Sequence, residues 1–310
     1  VTAAQPQSYG DFLAAKASDA GGHVKPPICY FGGKVTLGPD IARLLPAHEH
    51  YLEPYAGSLA VLLAKPRSAM ETVSDLDGDL MTFWRVLRDR PDELATRAAL
   101  TPHSRAEYRA CSVWIRDPNR EPVDDLETAR RVWVCLNQGR AGVLRASGWR
   151  HYVNPAGSSS SMPDYLAGYV GRMCPAAERL AGVTLESVAA LDLIVKYGRE
   201  PAALLYVDPP YLGSTRPGTY GKDAYRHELK TEAEHRELAE ALRGARAAVV
   251  LSGYPSPLYD EQLYPDWHRV TFPASTGQGG TWENRTEVLW SNRPLDTARQ
   301  RSLFDSEDVS

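Results

Sequence analysis

The sequence predicts an α/β protein: a largely parallel sheet covered by helices on both faces, interrupted by a mainly helical insertion. Three observations carry this. Short apolar runs alternate with amphipathic stretches up to about residue 90 and again after 181. The alternation lapses between those points. Candidate strands such as AALLYV, 202–207, are apolar throughout, as strands buried on both faces are. The 310 residues divide into a discontinuous α/β domain over 25–90 and 181–293 and an insertion over 91–180. The ends, 1–24 and 294–310, read as loosely held.

In chain order, HYLEP and METVSD are short strands, followed by helices at about 57–65 and 76–90. In the second helix Leu80, Phe83, Trp84 and Leu87 recur at helical spacing and form a core face. In the insertion, TPHSRAEYRACSVWI and DDLETARRVWVCLNQ are helical, with Leu126, Ala129, Trp133 and Leu136 on one side of the latter, before a Gly/Ser-rich loop. Strands resume at VTLES, AALLYVD, RAAVVLS, WHRVTF and RTEVLW, with the helix TEAEHRELAEALRG among them. The last two strands form an antiparallel edge.

Composition narrows the function classes. A net charge of −4 argues against coating a polyanion with the whole surface. No apolar run approaches the ~20 residues of a membrane span, and the N-terminal stretch lacks a secretory pattern. The four cysteines are far apart and form no C-x-x-C pair, so thiols in a reducing compartment are expected and no metal. His48 and His50 are expected in a loop. Residues 128–163 hold Arg130, Arg131, Arg140, Arg145 and Arg150 with no carboxylate and no lysine, interleaved with Trp133, Trp149 and Tyr152. A solvated basic face is one reading; a surface for phosphates and bases is the favoured one.

Four stretches carry chemistry. In YLEPYAGSLAVLLAK a strand ends at Glu53-Pro54, turns through Ala56-Gly57-Ser58 and enters a helix, a place where ligands approach the carboxyl ends of strands. About twenty residues on, METVSDLDGDL ends a strand in acid, the spacing of a carboxylate that binds ribose hydroxyls. Asp75 is the choice; Asp77 or Asp79 suits a helix cap. Together these suggest an adenosyl-type ligand. KPPICYFGGK adds a stiff close-approach loop with one cation at Lys34. In LLYVDPPYLG a buried strand runs into Asp208-Pro209-Pro210-Tyr211. The prolines donate no N–H, so the Asp208 carboxylate and the Pro209 carbonyl stand as acceptors beside an aromatic face. That is a pocket for a planar group bearing an NH2, or, blandly, a capped strand end.

In this order, KPPICYFGGK, EPYAGSLAV, SDLDGDL, DPPY, VVLSGYPSPLYDEQLY and NRTEVLW resemble the Dam-like, alpha-group N6-adenine DNA methyltransferases over most of residues 25 to 292. The resemblance implies a Rossmann-like methyltransferase sheet, S-adenosylmethionine as cofactor, double-stranded DNA as partner, and a target-recognition insertion before DPPY. It implies that Tyr30, Phe31, Gly32, Gly33, Lys34, Glu53, Pro54, Tyr55, Ala56, Gly57, Ser58, Asp75, Leu76 and Asp208 line the cofactor. Asp208, Pro209, Pro210 and Tyr211 would hold a flipped adenine. LNQGRAGVLR looks like the stretch that touches DNA, so Asn137 joins Arg130, Arg131, Arg140, Arg145 and Arg150 as expected contacts. The family's turn often reads EPF-x-G-x-G, with Leu59 here at the second glycine, and Ala189 stands where an aspartate often lies near the cofactor adenine. A cytoplasmic monomer of bacterial or phage origin is expected, possibly paired with a restriction nuclease. Cytosine N4, RNA and an inactive homologue are the alternatives.

Overall fold

The computed structural model describes residues 23–153, 161–212, 226, 227, 229, 231–278 and 281–295, with the backbone alone at 274–278 and 281–285. The expected loose ends lie almost wholly outside these residues.

The elements follow in order: α1 (Gly38–Leu44), β1 (His50–Glu53), α2 (Ala60–Ala64), β2 (Met70–Ser74), α3 (Gly78–Asp89), α4 (Pro91–Leu100), α5 (Arg105–Arg116), α6 (Asp125–Gln138), α7 (Met162–Val170), α8 (Met173–Leu180), β3 (Val183–Glu186), α9 (Ala190–Tyr197), β4 (Ala203–Val207), α10 (Glu232–Arg243), β5 (Ala248–Gly253), β6 (His268–Gln278) and β7 (Thr281–Ser291). The strands form one seven-stranded sheet in the order β3-β2-β1-β4-β5-β7-β6. The pairs from β3 through β5 are parallel, and β7 runs antiparallel to β5 and β6. The expected antiparallel edge is therefore present, though each of its strands is 11 residues long. Of these strands the sequence pattern predicts only WHRVTF and RTEVLW.

Side chains alternate between two faces with period 2. Tyr51, Val73, Leu204, Tyr206, Val250 and Leu289 point into one core with α3 and α6. Leu52, Leu205, Val207, Val249, Leu251 and Trp290 point into the other with α9 and α10. Burial on both faces explains why β4 and β5 read as unbroken apolar runs. Leu80, Phe83, Trp84 and Leu87 of α3 are fully buried, as are Ala129, Trp133 and Leu136 of α6. Those two helices share one core with Leu94, Met162, Leu166 and Leu180, so residues 91–180 extend the core of the sheet instead of forming a second one. His50 is not in a loop: it opens β1, with Nε2 2.9 Å from Thr72 Oγ1 on the neighbouring strand.

The strand order reverses direction between β1 and β4, and in an open α/β sheet the crevice outside the carboxyl ends of strands at such a point is where ligands bind.

Candidate active site

A cleft opens at that crevice, with about 1070 Å³ of space between atoms, open solvent at its mouth included. Every residue that the sequence assigned to a cofactor, from Tyr30–Lys34 through Glu53–Ser58, Asp75 and Leu76 to Asp208, lines this one cleft. Pro210 lines it too, as do Ala189, Ala190 and Leu191 at the start of α9.

β1 delivers Glu53 and β2 delivers Asp75. Asp75 Oδ2 accepts the Gly57 N–H at 3.1 Å and Oδ1 accepts the Asp77 N–H at 3.0 Å. One carboxylate thus pins the turn after β1 to the turn after β2. Asp77 caps α3, accepting from Asp79 N and Leu80 N, and Asp79 is held by Arg120 at 2.6 Å and Arg226 at 2.7 Å. Burial pushes Asp75 up to about 6, against the pull of its two backbone bonds. Gly57 sits at φ 45, and a Cβ there would come within 3.0 Å of the Tyr30 ring. Leu59 is also left-handed, at φ 54. Its side chain is fully buried.

Glu53 is buried in the cleft wall and receives the Tyr51 hydroxyl at 2.8 Å. Burial dominates and pushes it up to about 8. Tyr206 also lines the cleft, with its hydroxyl buried beside Ser252.

β4 delivers Asp208, whose carboxylate accepts from Lys34 Nζ at 2.8 and 3.0 Å. Lys34 also donates to Gly32 O at 2.9 Å and lies 3.5 Å from Glu287 Oε1 on β7. The Tyr211 hydroxyl reaches Asp208 Oδ1 at 2.9 Å and Glu287 Oε1, with one proton for both. Ser252 on β5 donates to Glu287 at 2.9 Å. Burial raises Glu287 above the ordinary carboxylate range while Lys34 favours its ionised form. Asp208 is therefore not the bare acceptor that the sequence suggested, because a cation already sits on it. The Tyr211 ring meets Tyr254 edge-on, with centroids 4.7 Å apart. Pro209 and Tyr211 are not among the cleft-lining residues.

The arginine stretch divides. Arg130 bonds Glu107 at 2.6 Å and Glu127 at 2.7 Å through two nitrogens, and Arg131 bonds Glu127 at 2.7 Å. Their carboxylates lie outside the acid-free window. Asn137 is fully buried, accepting the Cys29 N–H at 2.9 Å and donating to Trp133 O at 3.1 Å. It ties α6 to the loop of Tyr30. Arg150 faces Tyr165 and donates to Arg140 O at 3.1 Å. Arg145 is half-buried and Arg140 is exposed. The loop carrying them abuts the cleft, because Phe31 N donates to Gly142 O at 2.8 Å.

Sequence reasoning missed Glu287, Ser252, Tyr206, Arg226 and His227. A carboxylate flanked by apolar residues in RTEVLW was the available signal for Glu287.

Residues 30–261 match the family described as D12 class N6 adenine-specific DNA methyltransferase. The chain belongs to that family. It is also similar to the DNA adenine methylases of Salmonella typhimurium and Escherichia coli K12, each 25% identical over 287 and 283 residues, covering 85% of this chain and 93% of the relative. The fold is accordingly the Rossmann-like sheet of S-adenosylmethionine-dependent methyltransferases, and the reaction of this D12 enzyme is methylation of adenine in DNA with that cofactor. No helix of the described residues is long and apolar enough to cross a membrane.

The raised Glu53 makes stability depend on pH. Between about 4.5 and about 8 the folded chain holds a proton that the unfolded chain has released, so stability falls as pH rises through that window. Glu53→Gln removes this loss. It should match the wild type near pH 4.5 and exceed it at pH 8.5, by up to about 5 kcal/mol, in urea unfolding without cofactor. A gap that does not widen with pH would contradict the assignment.

Proposed function

We propose that the cleft holds S-adenosylmethionine across the ends of β1 and β2, and that Asp208 and the Pro209 carbonyl receive the amino group of an adenine flipped out of double-stranded DNA. The observation that carries this reading is the convergence of Glu53, Asp75 and Asp208 on one cleft.

The residues suit the cofactor. Asp75 keeps lone pairs for ribose hydroxyls beyond its two backbone bonds. Ala189, Ala190 and Leu191 offer a flat apolar shelf for the adenine ring without a carboxylate at 189. The Tyr206 hydroxyl and the Glu53 carboxyl supply buried polar groups in the cleft wall. Bound there, S-adenosylmethionine supplies an electrophilic methyl group.

The protein's task is to make adenine N6 nucleophilic. Its lone pair is delocalised into the ring. Two acceptors on its two N–H bonds favour a pyramidal nitrogen with the lone pair directed outward, and Asp208 with the Pro209 carbonyl forms such a pair. Tyr211 supplies an aromatic face for the base. Catalysis then rests on positioning and electrostatics.

The insertion over 91–180 is proposed to read the target, with DNA lying along the loop that joins Arg140 and Arg145 to Phe31. Arg130, Arg131 and Asn137 act inside the protein, holding α6 and that loop in place. We propose a monomer working in a reducing cytoplasm, in keeping with four free cysteines. Pairing with a nuclease would be a property of its genomic neighbours.

Asp208→Ala should abolish single-turnover methylation, a loss on the order of 3 kcal/mol or more, while calorimetric titration finds S-adenosylmethionine affinity little changed. Asp75→Ala should weaken cofactor affinity by ~1.5–3 kcal/mol. Wild-type turnover in the first variant, or wild-type affinity in the second, would remove the role concerned. A separate contrast tests the arginines. Arg140→Ala should weaken duplex binding and lower the salt slope by about one unit. Arg130→Ala should leave duplex binding near normal but destabilise the fold by ~1–3 kcal/mol, by stranding Glu107 and leaving Glu127 to Arg131. The opposite pattern would return Arg130 to the DNA surface.

A further inference from the structure

Glu287 has no evident packing reason to be charged. It lies in β7 beside Val288, Leu289 and Trp290, all fully buried, and is itself 4% exposed. A buried carboxylate is costly unless paired, and its pairing is with Ser252, Tyr211 and Lys34. Two of these partners also hold Asp208.

The arrangement poses a conflict. Asp208 polarises the substrate amino group only if its oxygens face that group as strong acceptors, yet Lys34 occupies both, at 2.8 and 3.0 Å. An ammonium on the carboxylate draws away the charge that the N–H bonds need. Lys34 is 7% exposed, so leaving Asp208 for water would require opening the site. Glu287 Oε1 stands 3.5 Å from the same ammonium, and a shift of under about 1 Å turns that contact into a charge-assisted hydrogen bond.

We propose that Glu287 is a positioning residue for methyl transfer, taking the Lys34 ammonium from Asp208 when the substrate amino group arrives and anchoring the Tyr211 hydroxyl meanwhile. The inference rests on the assignment of Asp208 to the amino group. No bond is made or broken in the handover: one ammonium moves between two carboxylates, and the N6 proton released after transfer is a separate event. Ser252, by donating to Glu287 Oε1, aims that carboxylate at Lys34.

The test is a double-mutant cycle read by single-turnover methylation, alongside cofactor titration and duplex binding. Glu287→Gln preserves shape and hydrogen-bonding capacity but loses the charge. We expect cofactor and duplex affinities within about threefold of wild type and a transfer rate reduced by about 10- to 100-fold. In a Lys34→Gln background, with no ammonium left to move, Glu287→Gln should change the rate by less than about threefold. A merely structural role would instead slow transfer equally in both backgrounds. That result, or a wild-type rate in Glu287→Gln, overturns the proposal. If Glu287→Gln does not fold, Ser252→Ala takes its place in the same cycle, with a smaller loss that must also vanish without Lys34. Wild-type turnover in Asp208→Ala would sink the underlying assignment separately, whatever the cycle gives.

Discussion

Crowding three carboxylates at the ends of adjacent strands is the constraint that shapes this site. Glu53, Asp75 and Asp208 line one cleft, where desolvation and mutual repulsion both oppose ionisation. Each is managed differently. Glu53 is buried under the Tyr51 hydroxyl and pushed up to about 8, so near neutrality it is largely protonated and adds little negative charge. Asp75 accepts two backbone N–H groups, which offset part of its burial. Asp208 is paired with a buried lysine, 2.8 Å away. A proton, two peptide dipoles and an ammonium thus each offset one carboxylate of a shared cleft.

The fold was legible because its physics is local. Strands buried on both faces produce apolar runs, and their crossover helices produce stripes such as Leu80, Phe83, Trp84 and Leu87. The cleft was legible for a related reason. Residues at strand ends face the same crevice in any sheet of this topology, so Glu53, Asp75 and Asp208 could be placed together before their distances were known. Glu287 was not, because its partners come from elsewhere in the chain: Ser252 on β5 and Lys34 in the loop before α1. Nothing in RTEVLW says that an antiparallel pairing sets Glu287 beside Lys34, some 250 residues earlier in the chain.

Arg130 shows how a compositional window misleads. Counting charges over 128–163 found arginines without acids, but Glu127 lies one residue before the window and Glu107 on the preceding helix. Helical geometry places a carboxylate three or four residues away on the same face, so Glu127 meets both Arg130 and Arg131. An exposed arginine near a cleft and a half-buried one inside an ion-pair network look identical in sequence. Only the latter's partners tell them apart, and those partners convert an apparent ligand surface into a brace between α5 and α6.

Leu59 carries the remaining tension between sequence and conformation. Its backbone is left-handed at φ 54, which costs a non-glycine residue on the order of 1–2 kcal/mol. Glycine would relieve that strain. Here the side chain is fully buried in the core with Val61, Leu62 and Trp84, and burying a leucine side chain is worth ~1.5–3 kcal/mol. The two terms are close in size, with burial somewhat larger, so the strained leucine is tolerated. The turn itself is then secured by Asp75 on Gly57 N and by the Trp84 indole N–H on Gly57 O. Because the helix core and the strand-end carboxylate both hold this turn, its close approach to the cleft does not depend on a second glycine.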